Sequence, residues 1–195
     1  MLEFEQKYLN KGFELIGGID EVGRGSLAGA VMSACVIMPM DDIIDGVNDS
    51  KKLSKKRRDE LYDLIVEKAI AFYVSAVDEK IIDEINILQA TKQSMIECVD
   101  KIAIKPEIVL VDAVKLNLPI ASESIIKGDE KSYSIACASI LAKVTRDRIM
   151  EKYDEIYPQY QFGKHKGYGT KIHIEAIKQY GACEIHRRTF IKKFI

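Results

Sequence analysis

Leu15-Ile16-Gly17-Gly18-Ile19 is a short apolar run closed by Asp20-Glu21, and a second run, Ala30 to Met38, follows a glycine-rich turn and stops at Pro39. The two predict strands joined as a hairpin. Ser54 precedes Leu61, Leu64 and Ile65, spaced for a short amphipathic helix with Ser54 as its N-cap. Ala71 to Val77 predicts another strand. Ile81, Ile85, Leu88, Met95, Val99 and Ile102 recur at helical spacing, predicting one or two long helices over 79–104 that Pro106 ends. Ile108-Val109-Leu110-Val111 is continuously apolar, as a strand buried on both faces would be, and it ends at Asp112. A strand over 120–126 leads to Gly128-Asp129, and a long helix over 131–157 carries Ala136, Cys137, Ala138 and Ser139, small enough to approach a sheet closely. A loop containing Gly163, Gly167 and Gly169 then leads to a short helix over 171–180 and a basic tail. Strands mixed with helices after a hairpin predict an α/β fold with a central mixed sheet flanked by helices.

Composition narrows the class. The 195 residues, 47% hydrophobic and 30% charged, suit one substantial domain with an ordinary polar surface and exclude a disordered or collagen-like chain. Apolar runs are too short for a membrane span, and the acidic start Met1-Leu2-Glu3-Phe4-Glu5 lacks the pattern of a signal peptide. The scattered cysteines (Cys35, Cys98, Cys137, Cys183) predict reduced, mostly buried thiols of a cytoplasmic protein. Net charge is −1, yet residues from Lys164 onward carry eight bases against two acids, +6, leaving −7 for residues 1–163. A second basic block, Lys51-Lys52-Leu53-Ser54-Lys55-Lys56-Arg57-Arg58, interrupts the acidic part. We therefore expect a catalytic domain over 1–160 and a small C-terminal helical, basic lobe over 161–195 that meets a polyanion.

The acids carry the candidate chemistry. Asp20-Glu21, Asp112 and Asp129 each close a predicted strand. One such carboxylate is ordinarily a turn former or a helix cap. Several at neighbouring strand ends, about 4.8 Å apart, converge and repel unless cations sit among them. Oxygen ligands without nearby His or Cys favour Mg²⁺ or Mn²⁺, and two such ions about 4 Å apart can clamp both oxygens of a phosphodiester displacement. The adjacent Gly23-Arg24-Gly25 offers a second reading, a dinucleotide loop of an oxidoreductase. That loop must open a helix, whereas a strand follows here. A tight turn that lets a substrate backbone come close, with Arg24 as a substrate contact, fits better.

The motifs resemble ribonuclease HII. The resemblance rests on Gly18-Ile19-Asp20-Glu21-Val22-Gly23-Arg24-Gly25-Ser26-Leu27-Ala28-Gly29, Asn48-Asp49-Ser50-Lys51-Lys52-Leu53-Ser54, Val111-Asp112-Ala113 and Lys127-Gly128-Asp129. It continues through Ala138-Ser139-Ile140-Leu141-Ala142-Lys143-Val144-Thr145-Arg146-Asp147, His165-Lys166-Gly167-Tyr168-Gly169-Thr170 and His186-Arg187-Arg188-Thr189-Phe190, so it covers nearly the whole chain. It implies an RNase H-like fold and a metal-dependent endonuclease, with Asp20, Glu21, Asp112 and Asp129 as catalytic, metal-binding carboxylates for Mn²⁺ or Mg²⁺. The implied substrates are RNA–DNA hybrids and DNA containing ribonucleotides, cut on the 5′ side to leave 3′-hydroxyl and 5′-phosphate ends, by a monomer away from membranes. The related ribonuclease HIII carries an added N-terminal domain for which the position of Asp20 leaves no room. Ser26 and Ala30 stand where proline is common, which bears only on the stiffness of the turn.

Substrate contacts are expected from Gly23, Arg24, Gly25, Lys51, Lys52, Lys143, Arg146 and Tyr168. The lysines surround a predicted helix N-terminus, where free N–H groups and bases together hold phosphate. Lys143 and Arg146 lie three apart on one helix face, and Asp147 pairs with a nearby base. Tyr168 can stack and hydrogen-bond at the ribonucleotide junction, as the resemblance implies. His165, His173 and His186 lack metal-ligand spacing and are expected to be structural or phosphate-contacting. A catalytically silent nucleic-acid-binding module of the same fold is the remaining alternative.

Overall fold

The computed structural model describes every residue from Met1 to Ile195. Its single mixed sheet has five strands, β1 (Ile16–Val22), β2 (Val31–Ile37), β3 (Ala71–Val77), β4 (Ile108–Asp112) and β5 (Ala121–Ile125), in the order β3-β2-β1-β4-β5. β1 and β2 pair antiparallel with Asp20 opposite Ala34, β3 adds antiparallel to β2, and β4 and β5 run parallel to β1. The helices are α1 (Glu3–Leu9), α2 (Lys55–Lys68), α3 (Glu79–Ile85), α4 (Ile87–Lys101), α5 (Gly128–Lys131), α6 (Tyr133–Ile156), α7 (Phe162–His165), α8 (Lys171–Tyr180) and α9 (Arg188–Ile191). None is long and apolar enough to cross a membrane.

Alternation along the strands divides the core. Ala34 and Val36 join Ala136, Ile140 and Leu141 of α6, while Cys35, Ile37, Val109 and Val111 join Met95, Cys98 and Val99 of α4. Continuous apolar runs are what a sheet covered on both faces requires. α6 does lie against the central strand, with a backbone contact just before its small-residue stretch. A Cβ on Gly18 would lie 2.1 Å from the carbonyl carbon of Ser134, so two backbones touch there.

Two local features differ from the sequence-based expectation, and one alternative that it left open is settled. α1 was not anticipated. Phe4 and Tyr8 pack on Ile16, Leu110 and Ile135, and the buried Glu5 carboxylate accepts from Ser132 Oγ at 2.6 Å and the Ser134 N–H at 3.0 Å, capping α6. The helical stretch over 79–104 is two helices, because Asn86 adopts φ 69° and its side chain accepts from the N–H groups of Leu88 and Gln89. Asp129 does not close a strand. It lies in the one-turn α5, started by Lys127 at φ 56°, three residues beyond Ile126. Residues past 161 share a cluster with Leu27, Ala28 and Met150, so the basic tail is packed onto the turn after β1.

The Gly18 contact gives a direct test. Gly18→Ala forces backbone apart rather than a side chain, so the loss should reach or exceed the upper end of the usual overpacking cost of about 1–3 kcal/mol. Urea denaturation should show a lower midpoint with an unaltered slope. An unchanged midpoint would show that α6 can lift off β1 freely.

Candidate active site

The C-terminal ends of β1 and β4 bring the acids together. One oxygen each of Asp20, Glu21 and Asp112 lies within 4.8 Å of the others. Asp20 is 4% exposed and Asp129 6%. Asp112 is held by the Gly128 N–H, which donates to its Oδ1 at 2.6 Å and ties the strand end to the turn carrying Asp129. Both acid-bearing turns use left-handed backbone, Ala113 at φ 48° and Lys127 at φ 56°. Burial, then the charges of Glu21 and Asp112, push the Asp20 carboxyl well above its ordinary range, and a hydrogen bond from Ser139 opposes this only in part. Burial also raises Glu21 and Asp112. Glu21 Oε2 is buried and has no hydrogen-bond partner. An all-oxygen set with mutual repulsion and an orphaned oxygen fits a hard divalent cation.

Two bases stand against these acids. Arg24 Nη1 lies 3.2 Å from Glu21 Oε1, and Lys51 Nζ lies 3.1 Å from Asp129 Oδ2. Burial works against the Lys51 ammonium, but Asp129 more than offsets it and the pKa rises. Beside them a cavity of about 390 Å³ is lined by Asp20, Glu21, Ser50, Lys51, Ser139, Lys143 and Tyr168.

The turn over Gly23–Gly29 is fixed from behind by two buried arginines. Arg187 donates from Nε to the Gly29 carbonyl at 2.9 Å, from Nη1 to Arg24 at 3.0 Å, and from Nη2 to Gly23 and Gly29, both at 2.7 Å. Arg146 donates to the carbonyls of Ala30, Lys166 and Ala28 at 3.0, 2.8 and 3.0 Å. Gly23, at φ 89°, would drive a Cβ to 2.4 Å from Arg146 Nε, so only glycine fits. A Cβ at Gly25, by contrast, meets nothing within 4 Å. Tyr168 pairs by a backbone bridge with Ser26, is 36% exposed and lines the cavity.

A family model described as ribonuclease HII matches residues 17–193. The chain belongs to the ribonuclease HII family. A relative from Caldicellulosiruptor bescii, a ribonuclease HII, is 54% identical across 99% of this chain and 94% of its own. The ribonuclease HII of Bacillus subtilis is 52% identical over 97% of this chain and 74% of its own. The crystal structure of ribonuclease H2 from Pyrococcus horikoshii OT3 superposes with a TM-score of 0.78 at 29% identity, covering 92% of this chain and 96% of that one. The protein is accordingly a ribonuclease H, a divalent-metal-dependent endonuclease of a family that acts on RNA–DNA hybrids.

Against that identity, the remaining expected contacts divide. Asp20, Glu21, Lys51, Lys143 and Tyr168 share one cavity, with Arg24 at its edge on Glu21. Lys52 pairs with Glu130 at 2.8 Å and does not line the cavity. Lys143 pairs with Asp147 at 2.8 Å, as expected of Asp147. Arg146 is the correction. It is 1% exposed with its donors on backbone carbonyls, so it supports the turn instead of meeting substrate. The histidines are buried in the C-terminal lobe and line no part of the cavity. Sequence reasoning overlooked Ser50 and Ser139, whose hydroxyls lie 2.9 Å apart on the cavity floor, and it overlooked Arg187. Arginine beside a buried histidine gives no local signal, because its partners lie more than 150 residues earlier.

Crowding at Asp20 predicts a trade between activity and stability. Its folded pKa is raised, so its contribution to stability is full below pH 3.8 and is lost as pH rises through the raised value. Asp20→Asn should therefore abolish cleavage yet unfold at a higher temperature than wild type in EDTA at pH 7. The advantage should shrink as pH approaches 3.8. Equal or lower stability at pH 7 would mean that repulsion at this corner is already relieved.

Proposed function

We propose that the enzyme hydrolyses the RNA strand of RNA–DNA hybrids and also cuts on the 5′ side of single ribonucleotides embedded in duplex DNA, by two-metal-ion catalysis at Asp20, Glu21, Asp112 and Asp129. Mg²⁺ or Mn²⁺ in that site would supply an acidified water and neutralise charge on the phosphoryl group. The products would be a 3′-hydroxyl and a 5′-phosphate. The observation that carries the reading is the cavity itself. It joins Asp20 and Glu21 to the Tyr168 ring, at the rim of a turn whose Gly25 is not filled from within.

The chain's own groups divide the work. Asp20 and Glu21 hold charge at the scissile position, and Asp112, oriented by the Gly128 N–H, does so from the neighbouring strand. Lys51 and Lys143 face the cavity and meet phosphate oxygens. The peptide groups around Gly25 approach the ribose 2′-hydroxyl, the group that tells RNA from DNA. Tyr168 packs against the sugar and its neighbour, so that a lone ribonucleotide is placed in register. With the buried histidines elsewhere, proton transfer falls to water and the carboxylates.

Mapped cleavage of a DNA duplex holding one ribonucleotide, in Mg²⁺ and in Mn²⁺, tests the whole reading. A single cut 5′ to the ribonucleotide is expected, and cleavage confined to long hybrids would overturn the second activity. Tyr168→Ala should lower single-ribonucleotide cleavage strongly and hybrid cleavage less, since a hybrid offers many registers. Tyr168→Phe keeps the ring and should lose only one hydrogen bond's worth, about 0.5–1.5 kcal/mol. Equal losses on both substrates would make Tyr168 a general packing residue.

Gly25→Ala separates binding from folding. The added methyl meets nothing in the free protein, so thermal stability should stay within about 0.5 kcal/mol of wild type, as for ordinary surface changes. Cleavage should fall because the methyl occupies the substrate's approach. Full activity in this variant would place the substrate backbone elsewhere.

A further inference from the structure

Beneath Tyr168 lies a buried set of imidazoles that the chemistry above does not use. His165, His173 and His186 are 8%, 0% and 1% exposed. His165 stacks on His173 with ring centroids 4.4 Å apart, and His173 Nε2 lies 3.0 Å from His186 Nε2. No carboxylate is hydrogen-bonded to any of the three; their partners are backbone groups, each other and the Cys183 thiol.

Backbone donors fix where each proton sits. The Cys183 N–H donates to His186 Nδ1 at 2.9 Å, so that nitrogen carries a lone pair and the His186 proton is on Nε2. The Nε2–H of His186 then donates to His173 Nε2, which must be the acceptor. His173 is left with its proton on Nδ1, and it donates to the Tyr168 carbonyl at 2.9 Å. His165 is set in the same way. The Gly167 N–H donates to its Nδ1 at 3.2 Å, and its Nε2–H donates to the Tyr160 carbonyl at 2.7 Å. A further proton on His173 or His186 would point a donor at a donor. Burial accordingly lowers both to about 4, and it raises the Cys183 thiol to about 11, keeping it protonated beside His186 Nδ1.

We propose that His165, His173 and His186 are positioning residues, a neutral chain of fixed tautomers that grips the Gly167–Gly169 loop and so aims the Tyr168 ring at the ribonucleotide. His173 holds the carbonyl of Tyr168, in the peptide that follows the tyrosine's Cα, and His165 holds the Gly167 N–H, one peptide before the tyrosine's own. The same loop is joined to the glycine turn, because the Gly167 carbonyl accepts from the Leu27 N–H at 2.8 Å and Ala28 bridges to His186. Direction along the chain is set by the Cys183 amide at one end and the Tyr168 carbonyl at the other. The proposal rests on the reading of Tyr168 given above, and its test is arranged so that the two fail separately.

Long-range proton–nitrogen spectra of ¹⁵N-labelled protein at pH 7 read the tautomers directly. We expect His173 protonated on Nδ1 and His165 and His186 on Nε2. A charged imidazole, or His173 protonated on Nε2, overturns the proposal whatever Tyr168 does. His173→Phe keeps the stacked ring and removes both hydrogen bonds. It should lower cleavage at a single ribonucleotide by about tenfold or more, mainly in kcat, since small misplacements of a contact group are costly. Amide exchange at Gly167 and Thr170 should quicken. His173→Asn retains a donor toward the Tyr168 carbonyl and should recover part of the loss. Should the phenylalanine variant fail to fold, the asparagine variant and the spectra decide. In a Tyr168→Ala background the His173 change should cost little more. A fully additive loss, or wild-type cleavage with unaltered amide exchange in His173→Phe, overturns the proposal. If Tyr168→Ala leaves both substrates untouched, the reading of Tyr168 fails, and the spectra and amide exchange still judge the histidine chain.

Discussion

Carboxylates pressed to within 4.8 Å of one another are the constraint on which this fold is organised. Left to relax, such groups would turn apart or take up protons. Asp20 and Glu21 cannot turn apart, because they belong to the central strand, bracketed by β2 and β4. α6 rests on that strand backbone to backbone at Gly18 and brings Ser139 to Asp20 one turn later. Asp112 is held by a peptide N–H, and the residues that follow Asp112 and precede Gly128 both have left-handed backbone. Stability is given up at one corner and recovered in the two-sided core, a pattern common at sites that await a cation.

Much of this was legible in the chain, and the reasons are local. Ile108 to Val111 is a continuous apolar run typical of a strand covered on both sides, and all four residues are buried in β4. The small residues from Ala136 to Ser139 called for close approach to a sheet; all four are buried, and the first three share a cluster with Ala34 and Val36 of β2. The acids of β1 and β4 could be paired because strand spacing is fixed. What escaped depended on distant partners. α1 is seven residues long and is held by Glu5 on α6, an interaction spanning more than 120 positions. Lys127-Gly128-Asp129 reads as a strand end because nothing in it announces a left-handed lysine starting one helical turn. Arg146 lies three residues from Lys143, but spacing along a helix does not say which side meets solvent.

The glycine turn and the tyrosine loop are parts of one unit drawn from both ends of the chain. Backbone bridges join Ser26 to Tyr168 and Ala28 to His186, and the two arginines hold carbonyls of both segments. The C-terminal residues are thus less an appended basic lobe than the back wall of the site. Two of their bases face inward, Lys166 to Glu151 and Arg187 to the turn, and add nothing to an outer basic surface.

Arg146 and Arg187 are buried, bound to carbonyls and without a carboxylate partner in hydrogen-bond reach. Their charge is therefore not cancelled within the fold, and mobile ions in solution cannot approach it closely. Lys51, Lys52 and Lys55 are exposed and paired with acids, so those pairs are screened as salt rises. The positive charge of this molecule thus falls into two sets with different ionic-strength dependence. The outer pairs loosen as salt rises, whereas the inner guanidiniums, seated on carbonyls, keep the turn in place at ionic strengths that free the rim.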